Sequence, residues 1–85
     1  MIKGKQQLPK WFNGELYEEG ETVQNRFSGE EYELNNVELS MYDFIMGSTI
    51  LVEMGGGGTN MIKELRKGLD WFRMNNAEAY MVLLD

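Results

Sequence analysis

Eighty-five residues leave room for one domain and one core, and a net charge of −6 sets the chain against phosphate backbones. With no cysteine and no histidine, it excludes disulfides, thiolate and imidazole metal sites, and catalysis that depends on either residue. A hydrophobic content of 42% with ten aromatic residues predicts a packed core and not a disordered chain. A core this small gives marginal stability unless packing is very good or copies associate. No run reaches the ~18 apolar residues of a membrane span. The most apolar stretch, residues 41–54, is broken by Asp43, Gly47, Ser48, Thr49 and Glu53. No apolar run follows Lys3 and Lys5, so the start does not read as a signal peptide. A cytoplasmic protein without a membrane partner is the expectation.

The expected fold is α+β: a short N-terminal antiparallel hairpin or meander, then a helical hairpin and a short C-terminal helix. One domain, 1–85, is expected, β-rich over about 11–34 and helical over about 36–54, 60–75 and 77–84. Asn13-Gly14, between Trp11-Phe12 and Leu16-Tyr17, is the strongest hairpin signal, because both residues tolerate positive φ. Glu19-Gly20 and Ser28-Gly29 are further turn candidates. Glu31-Tyr32-Glu33-Leu34 alternates, with Tyr32 and Leu34 on one face and acids on the other. Leu16, Val23, Tyr32 and Leu34 are then the expected inner side of the meander.

Asn35 followed by Glu38 fits a capping box opening the first helix. Val37, Met41, Phe44, Ile45, Ser48 and Val52 share one helical face. Leu39, Tyr42, Met46 and Ile50 form a second apolar stripe beside it. So broad an apolar face exceeds what a small core covers, so this second stripe is the candidate interface of a homo-oligomer, a dimer first. The four glycines at 55–58 end the helix, since each costs about 1 kcal/mol relative to alanine. Thr59 or Asn60 is expected to cap a second helix with Met61, Ile62, Leu65, Leu69 and Phe72 inward. Gly68 within it requires a neighbouring helix to cross closely. Asn75 with Glu78 repeats the capping pattern before a short apolar helix.

Charge is uneven along the chain. Residues 1–54 carry ten acids against four bases, and residues 55–85 carry four of each. The acidic half suits a basic protein partner or serves as a solvated face, and duplex nucleic acid is not expected to bind. The glycine run supports two readings. One is a plain reversal between helices. The other is an anion-binding loop made by Gly57, Gly58, Thr59, Asn60 and Lys63, although the lysine-hydroxyl pair of a phosphate loop does not follow the last glycine.

Other chemistry finds less support. Glu18/Glu19 and Glu30/Glu31 are adjacent and diverge on a strand. Asp43 is the best candidate for a perturbed acid. Ser28, Ser40 and Ser48 have no histidine to activate them. Of the aromatics beside bases, Trp71-Phe72 has core spacing, whereas Trp11-Phe12 is expected to be more exposed. No catalytic residue, metal ligand or cofactor is therefore assigned.

Several runs carry a resemblance that covers nearly the whole chain. They are Leu8-Pro9-Lys10-Trp11-Phe12-Asn13-Gly14, Phe27-Ser28-Gly29-Glu30-Glu31-Tyr32-Glu33-Leu34, Leu39-Ser40-Met41-Tyr42-Asp43-Phe44-Ile45-Met46-Gly47, and the stretch from Gly68 through Asp70-Trp71-Phe72-Arg73 to Tyr80. The sequence resembles small uncharacterised proteins encoded by tailed phages of marine bacteria, cyanophages included. That resemblance implies a phage origin and action inside an infected cell, and it brings no functional residues with it. The leading expectation is a non-enzymatic phage accessory protein that binds a host or phage protein. The alternatives are a small-ligand or nucleotide-sequestering protein using the glycine loop, and a minor virion or assembly protein.

Overall fold

Two short strands and three helices follow one another in a computed structural model that describes residues 6–56 and 58–84. The strands are β1 (Glu21–Gln24) and β2 (Glu31–Leu34). The helices are α1 (Asn36–Glu53), α2 (Gly58–Asn75) and α3 (Ala77–Leu83). This is the expected α+β order, an antiparallel hairpin followed by a helical hairpin and a short last helix.

The hairpin forms around Ser28-Gly29. Gly29 takes φ +79°, which a side chain would resist, and its N–H donates to Asn25 O at 2.9 Å. The Asn25 side chain accepts from the Phe27 and Ser28 amides, so the turn is held from within. Val23 stands opposite Tyr32 and Glu21 opposite Leu34. Leu34 is buried and Tyr32 half-buried, while Glu31 and Glu33 face out, as the alternation requires.

The Asn13-Gly14 hairpin does not form. The sheet has two strands among the described residues, and neither Asn13 nor Gly14 has positive φ. Residues 11 and 12 are recruited by α1 instead: the Trp11 and Phe12 rings sit 5.7 and 5.5 Å from that of Phe44. Both are half-buried, and with Phe72 fully buried they are the more exposed of the two aromatic pairs, as expected. Leu16, expected inside the meander, is 68% exposed because it lies outside both strands and nothing pairs it into the sheet.

Asn35 caps α1 in a complete capping box with Glu38. Met41 and Ile45 are its buried anchors, joined in the core by Leu34, Phe72, Ala79 and Leu83. The close crossing expected at Gly68 is present. A β-carbon there would stand 3.2 Å from Ile45 Cγ1 and 3.3 Å from Met41 Sδ, so α1 and α2 meet where α2 has no side chain. Thr59 and Asn60 lie inside the first turn of α2 and not at its cap. The cap of α3 is Asn76, one residue later than expected: its side chain accepts from Ala79 N–H, while Asn75 donates back to Trp71 O. The two asparagines are equivalent in type, and the Asn76 carboxamide also donates to Glu38 at 2.9 Å.

Candidate functional site

The outer stripe of α1 is divided between two grooves. Ser40 fixes the first. Its buried Oγ accepts the Tyr17 N–H at 3.0 Å and donates to Asn36 O at 2.8 Å, which lays residues 17–20 along the helix. Between that segment and α1 runs a groove of about 530 Å³. Leu39, Tyr42 and Val23 supply apolar surface, and Glu18, Glu19, Glu21 and Asp43 supply four carboxylates. A second hollow of about 470 Å³ continues past Glu19 and Gly20 towards Glu33 and Glu38. Neither is lined by a lysine or arginine. Burial first, and then the Asp43 carboxylate, hold the Tyr17 phenol above its ordinary value. Burial also raises the Tyr42 phenol, against a smaller opposing pull from Arg26. The groove disfavours any further negative charge.

Met46 and Ile50, the other half of the stripe, line a separate groove of about 400 Å³. Leu69 and Leu84 also line it, and Arg26, Phe27 and Glu53 belong to its lining. Of these, Phe27 is 93% exposed and Ile50 48% exposed. The four stripe residues are thus divided between the two grooves. The chain leading into β1 covers the Leu39–Tyr42 half with acids, and the hairpin loop borders the Met46–Ile50 half with an aromatic ring.

The glycine-loop candidates are not brought into a comparable arrangement. Gly57 lies outside the described residues. Gly58, Thr59, Asn60 and Lys63 are exposed on the first turns of α2, and none lines the grooves described above. Asp43 is exposed on the groove rim beside Tyr17. Among the described residues, no three carboxylates gather as a metal cluster would require. No described helix is long and apolar enough to cross a membrane. Trp71 and Phe72 pack inward, with Phe72 fully buried and Trp71 Nε1 donating to Gln7 O.

One buried polar cluster has no counterpart in the sequence reading. The Glu38 side chain, 4% exposed, accepts from Asn35 N–H at 3.1 Å, and from Gln6 Nε2 and Asn76 Nδ2 at 2.9 Å each. Tyr32 OH donates to Glu78 at 2.9 Å beside it. These bonds tie β2 and the starts of α1 and α3 together. Every buried side-chain polar atom among the described residues has a partner, so the cluster holds structure and offers no free group for chemistry. The capping box signals Glu38, but Gln6 and Asn76 join it from 32 and 38 positions away.

Compared with family models, curated proteins and solved structures, the chain matches none of them.

Proposed function

We propose that the chain is a non-enzymatic accessory protein that binds a protein partner, taking a basic segment of that partner into the acidic groove between α1 and residues 17–23. The observation that carries this reading is the lining itself: four carboxylates over Leu39, Val23 and Tyr42, with no basic side chain among them. A lysine or arginine of the partner lays its aliphatic stem on that floor and keeps its charge among the acids. The tyrosine faces add an attraction for a guanidinium or ammonium. Each exposed ion pair is worth only about 0.2–1 kcal/mol, so several must act together. Their larger effect is on encounter rate and partner choice. The resemblance to phage proteins suits a partner inside an infected cell, of host or phage origin.

Calorimetric titration with an oligoarginine peptide tests the reading. The expected result is saturable binding that weakens as salt rises, and that weakens severalfold further in Glu18→Lys/Glu19→Lys. Equal binding by that variant would contradict it, because the attraction would then belong to the acidic surface at large.

A further inference from the structure

We propose that the second groove, lined by Met46 and Ile50, pairs two copies of this chain about a two-fold axis, with Phe27 of each copy seated in the groove of the other. A two-fold interface requires a patch complementary to itself. This face has both halves of such a fit. Its hollow of about 400 Å³ is lined by Met46, Ile50 and Leu84 beside buried Ile45 and Leu83, and its knob is a phenylalanine 93% exposed.

The loop that carries the knob is held in place before any partner arrives. Asn25 Oδ1 accepts the Phe27 N–H at 2.8 Å, and Asn25 Nδ2 donates to Val82 O at 2.8 Å, which ties the loop to α3. A loop fixed in this way loses little backbone freedom on docking.

Charge selects the occupant. Arg26 is the only basic residue between positions 11 and 54, and it lines this groove with Glu53. Across a two-fold axis, Arg26 of one copy faces Glu53 of the other, and the reciprocal pair forms at the same time. Elsewhere on the strand-rich half a second copy meets acid against acid. The pairing uses none of the residues that line the acidic groove.

Sedimentation of the full chain across about 1 µM to about 1 mM tests this. The mass is expected to rise from 9.9 kDa towards twice that value. Raising salt changes the association little, because it screens both the repulsion between net charges of −6 and the Arg26–Glu53 attraction. The basic peptide is instead expected to weaken steadily with salt, so the two proposals fail separately. Phe27→Asp is expected to raise the dimer dissociation constant about tenfold or more. Phe27 is exposed, so its melting transition at low concentration stays in place. Arg26→Glu and Glu53→Arg each weaken the dimer, and together they restore it. A mass of 9.9 kDa at every concentration, a Phe27→Asp dimer as tight as the parent, or a double swap that fails to recover would each overturn the proposal.

Discussion

The two grooves share one helix and differ in what the rest of the chain lays over it. Leu39 and Tyr42 lie two turns before Met46 and Ile50 on the same side of α1. At the first pair, residues 17–23 bring Glu18, Glu19 and Glu21 alongside and leave an acidic trough. At the second pair, the hairpin loop brings Arg26 and Phe27, and the trough is apolar with one charge of each sign. The same helical stripe thus meets two kinds of surface. What decides its chemistry is the neighbour and not the stripe.

Both grooves rest on the core formed where α1 crosses α2, and the largest effect comes from removing that support. Phe72 is fully buried, and its ring lies 6.4 Å from that of Tyr42. Phe72→Ala is expected to cost about 3–5 kcal/mol, enough to unfold much of a marginal domain and abolish both grooves together. Chemical denaturation followed by tryptophan fluorescence measures it. Asn76→Ala removes the α3 cap and one of the donors that satisfy buried Glu38, at about 2–3 kcal/mol. It should loosen the start of both α1 and α3, seen as faster amide exchange there, while α2 keeps its protection.

Gly68→Leu sharpens the point about the crossing. Its side chain would be forced between Ile45 and Met41, and a loss of about 1–3 kcal/mol is expected despite the better helix propensity. Thermal melts give the sign directly: a rise in melting temperature would mean that α1 and α2 do not meet at this glycine.

A smaller effect appears at alkaline pH. Burial raises the Tyr32 phenol, and its bond to Glu78 adds to that. Below the ordinary tyrosine value of 10.0, folded and unfolded chains both keep the proton. Above it the unfolded chain loses the proton first, so stability falls as pH rises past about 10. Tyr42 and Tyr17 add to the fall in the same direction. Tyr32→Phe should make the decline shallower in a pH series of melts, although it also removes the bond to Glu78.

The contrast between the grooves also shows which features local sequence encodes. Asn35 and Glu38 announce the start of α1 because a capping box involves only four consecutive positions. Gly68 points to a close crossing because a mid-helix glycine is costly without one, although Gly47 in α1 has open space where a β-carbon would stand. Ser28-Gly29 and the alternation of β2 locate the hairpin for similar reasons. Asn13-Gly14 misleads because a turn signal forms a hairpin only if the flanking segments find each other. Here Trp11 and Phe12 find Phe44 on a distant helix instead. Asn75 and Asn76 differ by one position, and the bonds that set Asn76 apart reach Glu38 and Tyr32, 38 and 44 positions away. The second apolar stripe of α1 is visible from spacing alone. Its division into an acidic and an apolar half is not, since it depends on the Tyr17–Ser40 bond and on the path of the loop at Phe27.

Residue-resolved magnetic resonance during titration with an oligoarginine peptide tests the central claim most directly. The account predicts that the largest shifts fall on Tyr17, Val23, Leu39 and Tyr42, while Phe27, Ile50 and Leu84 stay where they were. Equal shifts at Glu30, Glu31 and the Met46–Ile50 groove, or none at Leu39 and Tyr42, would contradict it.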